Sequence, residues 1–597
     1  MENKGNDKYL WDLSKIFIND EEFNKAINIV NETLEKILNL KGKILSSDKT
    51  ILECFTLSDD LNLTLEKIYI YANLGYNDKM NNKEWQEKRE KAVSLFDKVS
   101  ESLSFIFPEL LKSNLEDVNK LISNNSEMDK YKFNIELLFR YKAHTLSEEE
   151  EKILSSVSPV LRTTDDTFSS LNNIDAKFDK IKDENENMVE LTLSNQSRYL
   201  ESKNRRVRKS AFNKLYKFYS EHINTTSTLY INKVKANNFE KNTRKYSSSL
   251  EMNLYNDNID KSLYELLISV TNKNVKSLQK YYKLKSKLIG INKLHIYDTY
   301  VNICLPTNED IDYENGKEMV IEALKPIGEE YIKDFKHLLN NRCIDVYPKK
   351  AKRSGAYQWG AYSVEPYVSL NYENNIDSVS TLAHEMGHAM HSYYSDKNNI
   401  FCYAGYPIFL AEIASTVNEI LFSEYMTKNS KSIDEKIYYI VEYLDKFKAT
   451  VFRQTMFAEF EHIIHGKYEN GESLTKDSIC NTYLDLYKKQ FGNSLVIDDD
   501  IKYEWSRISH FYSSFYVYKY ATGFISAMII ASKLLNEEKG FKEKYIKFLS
   551  SGGSNYPLEI LKELGIDIND EKVIDNAFKL FDEKVNELNV LIEKRGE

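Results

Sequence analysis

The sequence predicts a mainly α-helical protein with a small β element, and three observations carry that reading. Glycine (19) and proline (8) are scarce over 597 residues, so little interrupts long helices. Apolar residues recur at three- and four-residue spacing from residue 20 to about 195, and again from about 201 onward. Between Cys343 and Tyr372 the texture changes: SGAYQWGAYSVEPYVSLNY has glycines, a proline and alternating aromatic or β-branched residues. That pattern predicts one or two short strands beside helices, Tyr367–Asn371 being the clearest.

Along the chain, the first helices are predicted near 22–40, 85–103 and 115–122. Ser147 ahead of four glutamates predicts a capped helix start, since a hydroxyl satisfies an orphan amide and acids favour the positive end. A more polar stretch with strand character, about 175–200, marks the expected boundary between an N-terminal helical domain, 1–195, and a second domain, 196–597. A chain this long exceeds a single minimal domain, so at least two lobes are expected.

Composition excludes several classes of function. A formal net charge of -10 with interspersed signs leaves no basic stripe for phosphates, so nucleic acid is not expected as a partner. The basic cluster of Lys203, Arg205, Arg206, Arg208 and Lys209 is the counter-candidate, and it reads as a solvated helical face. The longest apolar run, near 524–532, is too short to span a bilayer, and MENKGNDKYLWDLSKIF lacks the pattern of a secretory signal. Cys54, Cys304, Cys343, Cys402 and Cys480 are scattered without CxxC spacing, which predicts reduced thiols in a cytoplasmic protein.

The chemistry lies in His384-Glu385-Met386-Gly387-His388, inside a breaker-poor run from 376 to 394 that reads as a helix. Residues four apart stack on one face, so both imidazoles reach one ion. Glu385, one step around, addresses a water at the open coordination position, as a base for metal-assisted hydrolysis. A third ligand is needed. His391 lies seven residues from His384, about 10 Å along a helix, and cannot share the ion. The extended HExxHxxGxxH pattern also fails, because His391 and Tyr394 occupy its glycine and last histidine positions. Glu412, on an apolar helix after Gly405 and Pro407, is the better choice, since a buried acid needs a partner. Glu419 shares its face and reads as a supporting or structural acid. Downstream, the run from His510 to Gly523 reads as a tyrosine-rich helix whose phenols and imidazole suit an oxyanion, or else as an aromatic core stripe.

HEMGHAMHSYYS followed by FLAEIASTVNE resembles the M3 metallopeptidases, in particular their oligoendopeptidase F branch. YKAHTLSEEEEKIL, TRKYSSSLEMNL, AKRSGAYQWGAYSVEPYVSLNY, HFYSSFYVYKYATGF and FLSSGGSNYPLEILKELGIDI are similar to further segments of that family, over residues 9 to 590. The resemblance implies one Zn2+ per chain on His384, His388 and Glu412, with Glu385 as base. It places the transition-state histidine at His510, with Tyr518, then Tyr520, as accompanying tyrosines. It further implies a two-lobed helical shell around a deep channel, with short peptides as substrates in the cytoplasm. The alternatives are a metallo-carboxypeptidase, for which Arg353 would be a terminus anchor, and a non-catalytic zinc-containing peptide-binding protein. Oligomeric state is left open.

Overall fold

The computed structural model describes residues 7–303 and 310–596; Cys304 lies outside them. The expectation of a mainly helical fold with a small β element holds. Two compact units emerge, each built from three chain stretches: 1–145, 308–425 and 530–565 in the first, and 146–307, 426–529 and 566–597 in the second.

In the first unit three helices, Asp20–Leu38, Asp48–Asp78 and Lys83–Leu103, open the chain. Each starts at a side-chain cap, from Asn19, Ser47 and Asn82 respectively. Phe23, Val30, Leu34, Ile51, Leu61, Ile68, Ala92 and Leu95 come together in one apolar core. The textured stretch gives three strands in the order Ile344–Asp345, Tyr367–Ser369, Tyr357–Trp359. Ile344 pairs parallel with Val368, and Gln358 pairs antiparallel with the same residue. The predicted strand is thus the centre of the sheet, fully buried, and Tyr357–Trp359 lies at an edge. Lys352, almost wholly buried, donates to the carbonyls of Asp345 (3.1 Å) and Tyr347 (3.0 Å) and so holds the sheet's exit loop. The sheet hands the chain directly to the helix Ile376–Asn398, which Asn375 caps through the Ser378 amide at 2.9 Å.

The second unit stacks long helices, among them Arg205–Glu221, Ile223–Thr243, Ile433–Phe447, Arg453–Glu469 and Glu571–Gly596. Phe447 and Phe581 stack tilted at 4.6 Å in its core. Ser147 caps its helix as expected, and Glu150 returns the bond to complete a capping box; the polar stretch is a small hairpin pairing Ile181 with Val189. The basic cluster is not simply a solvated face. Arg208 is buried on Asp298 at 2.7 Å, Arg205 reaches the same carboxylate at 2.8 Å, and Arg206 pairs with Glu186 at 2.8 Å. Cys54, Cys343 and Cys480 are buried free thiols, and Cys402 is half-buried. No helix among the described residues is long and apolar enough to cross a membrane.

Candidate active site

The helix Ile376–Asn398 buries Val379, Leu382, Ala383, Met386, Ala389 and Met390, which fixes its rotation. His384 and His388 then project from one side, their rings 4.8 Å apart and nearly perpendicular. The helix Ile408–Lys428 lies against it. Gly387 permits the approach: a Cβ there would fall 2.5 Å from the Ser415 Cα and 2.8 Å from the Ala414 carbonyl oxygen. Asn418, fully buried, ties the two helices by donating to the Ala383 carbonyl at 3.0 Å, and it accepts from the Tyr331 hydroxyl at 3.1 Å.

This contact brings Glu412 to the histidines. Its Oε2 lies 3.7 Å from His384 Nε2 and 3.6 Å from His388 Nε2, and the two Nε2 atoms are 3.2 Å apart. Donors bound tetrahedrally at about 2.0–2.2 Å sit roughly 3.3–3.6 Å from one another, so this trio fits a single ion of zinc-like size and ligand taste. Ser415 Oγ donates to Glu412 Oε2 at 3.2 Å and steadies it. Hydrogen bonding with His388 holds the Glu412 carboxyl below its ordinary pKa despite its partial burial.

Glu419 Oε1 stands 3.3 Å from His384 Nδ1. Burial alone would lower the His384 pKa, but the surrounding carboxylates, Glu419 foremost with Glu385 and Glu412, together raise it. An acid on Nδ1 favours the tautomer that leaves the Nε2 lone pair free for a metal. Glu385 is buried and its pKa is raised, first by desolvation. His391 is also buried, stacked on Tyr406 at 3.7 Å, with its pKa pushed down to about 3 by desolvation. It packs in the core and takes no part in the cluster of potential metal ligands.

In the second unit the run after His510 is not one helix. A short 3-10 turn, Ser509–Tyr512, gives way to irregular backbone, and the helix starts only at Tyr518. The bend sets His510 Nε2 3.2 Å from the Tyr520 hydroxyl. The Tyr516 ring packs edge-on to Tyr520 at 5.4 Å and lies nearly parallel to His510 at 6.5 Å. Tyr518, the first choice among the tyrosines, has no exposed surface and packs against Tyr264 at 5.3 Å. Tyr520 thus lies beside His510, whereas Tyr518 is buried among aromatic rings. Burial lowers the His510 pKa.

Comparison with known proteins agrees with this arrangement of helices. The sequence profile of Peptidase family M3 matches residues 198–580, and that of the Oligopeptidase F N-terminal region matches 109–178. Oligopeptidase PepF of Bacillus subtilis is 40% identical over 98% of this chain and 87% of its own length. An oligoendopeptidase F homolog of Lactococcus lactis is 35% identical, over 99% of this chain and 98% of its own. The crystal structure of oligoendopeptidase-F from Enterococcus faecium superposes with a TM-score of 0.74 at 34% identity, covering 96% of this chain and 99% of that one. A chain from Chlamydophila abortus does so with a TM-score of 0.90 at 33% identity, covering 98% and 99%. The chain belongs to peptidase family M3 and is a metallo-endopeptidase. Within that family it falls in the oligoendopeptidase F branch, whose chemistry is the hydrolysis of internal peptide bonds.

Proposed function

We propose that this peptidase works on short, unstructured peptides with one zinc ion held by His384, His388 and Glu412. The observation that carries the reading is the set of three donor atoms, all within 4.8 Å of one another, on two helices locked by Gly387. When bound, the ion supplies Lewis acidity toward the scissile carbonyl and lowers the pKa of water beside it. Glu385 takes the proton of the attacking water and returns it to the leaving amine. Desolvation raises its pKa, which favours the protonated form that a base passes through. His510 and Tyr520 donate hydrogen bonds to the oxyanion; an imidazole with lowered pKa acts there as a neutral donor.

The division into an N-terminal module, 1–195, and a catalytic module, 196–597, is part of the same proposal, supported by the two profile matches on either side of it. A cytoplasmic site of action is supported by the free, mostly buried cysteines. The test is digestion of an end-blocked peptide of about ten residues, read by mass spectrometry with and without chelator. Internal cuts that vanish with chelator and return with zinc support the reading. Cleavage only of peptides with a free carboxyl end would point to a carboxypeptidase. An intact peptide, with protein holding one zinc, would point to a binding protein.

A further inference from the structure

The second unit holds a buried acid to which the reaction as described gives no task. Glu461, on the helix Arg453–Glu469, has no exposed surface. Its Oε1 accepts the backbone N–H of Phe515 at 3.0 Å. Phe515 has φ +56, a left-handed conformation that a bulky side chain avoids unless its surroundings impose it. A second tie grips the preceding residue. His465 Nδ1 lies 2.9 Å from the Glu461 carbonyl oxygen and so carries the proton, which leaves Nε2 to accept from Asn237 Nδ2 at 3.0 Å. The other proton of that amide goes to Ser514 Oγ at 2.6 Å. Desolvation pushes His465 down to about 4, so this chain of donors and acceptors is intact at neutral pH. The Phe515 ring closes the anchor against His465 at 4.6 Å.

Ten residues of continuous helix would set positions 510 and 520 about 15 Å apart along the axis. The bend held at Ser514 and Phe515 instead brings their side chains within 3.2 Å. We propose that Glu461 is a positioning residue, fixing through the Phe515 amide the bend that sets His510 against Tyr520. The inference rests on the reading of His510 as a participant in catalysis. Desolvation raises the Glu461 pKa to about 8, so the carboxyl is neutral at pH 7 and an amide can stand in for it.

The experiment measures kcat and KM on an end-blocked peptide for the wild type, E461A, E461Q, H510A and E461A/H510A, each checked for metal content and thermal unfolding. E461A is expected to lower kcat at least tenfold with KM within about threefold, since displaced groups are lost to the transition state and not to peptide binding. E461Q should recover most of that loss. In the H510A background, E461A should cost less than it does in the wild type, because a positioning residue acts through the groups it positions, here His510 and Tyr520. A full E461A loss that persists in H510A, or an E461A enzyme with wild-type kcat, overturns the proposal. If E461A does not fold, S514A takes its place, with a kcat loss of about threefold or more expected and an unchanged kcat overturning the idea. H510A with wild-type activity would instead sink the reading of His510, and the inference with it.

Discussion

Gly387 and Ser415 are in backbone contact, so close that a Cβ on the glycine would lie 2.5 Å from the Ser415 Cα. The His384, His388 and Glu412 cluster depends on this contact, because Glu412 sits one helical turn before Ser415 and reaches the histidines only if the helices touch. Replacing Gly387 by alanine forces the helices apart against backbone atoms that cannot turn aside. G387A is expected to bind zinc at least about tenfold more weakly, with the larger part of activity lost, as read by chelator competition and peptide cleavage.

Glu385 lies between His384 and His388 in sequence and is not among the three residues whose donor atoms cluster. E385Q should therefore keep one zinc per chain, measured by elemental analysis, while kcat falls by roughly 10²–10⁴-fold. Loss of zinc together with activity would make it a structural acid.

Glu419 lies 3.3 Å from the far nitrogen of His384, where it would tune the proposed metal ligand. E419A should weaken zinc binding by about 10–100-fold, and excess zinc should restore much of the activity. An E419A enzyme with unchanged zinc affinity would leave Glu419 without that role.

Tyr520 and Tyr518 make a controlled comparison, two residues apart on one helix. Y520F removes a donor beside His510 and is expected to lower kcat by about 10²-fold, with stability unchanged. Y518F, in the core, should leave kcat within about threefold and show itself in the unfolding temperature. The reverse pattern would restore Tyr518 to the site.

Asp396 gives a pH test independent of the metal ligands. Desolvation, and then the charge of Glu66, raises its pKa from 3.8 to about 7. The folded state holds the proton more tightly than the unfolded chain, so this group's contribution to stability is present in full below about pH 4. It is lost as pH rises through 7. D396N, which cannot ionise, should unfold about 2–4 °C higher than wild type at pH 8, and no higher at pH 4, by calorimetry. Equal shifts at both pH values would show that the effect is one of packing.

The sequence by itself determined what is local. Spacing of four residues placed His384 and His388 on one face, and the apolar positions around them set that face's direction, as the helix Ile376–Asn398 bears out. The Ser147 cap, the strand character within 175–200 and the strand at Tyr367–Ser369 were legible for the same reason: short-range hydrogen bonding and periodicity specify them. Tertiary structure decided what depends on distant partners. Glu419 joins His384 because Gly387 lets two helices meet, and no spacing rule contains that contact. After His510 the tyrosines promised a regular helix, yet Glu461, fifty-four residues before Phe515, takes a backbone amide and bends the chain. That hydrogen bond, absent from any local pattern, turns Tyr520 toward His510 and leaves Tyr518 in the core.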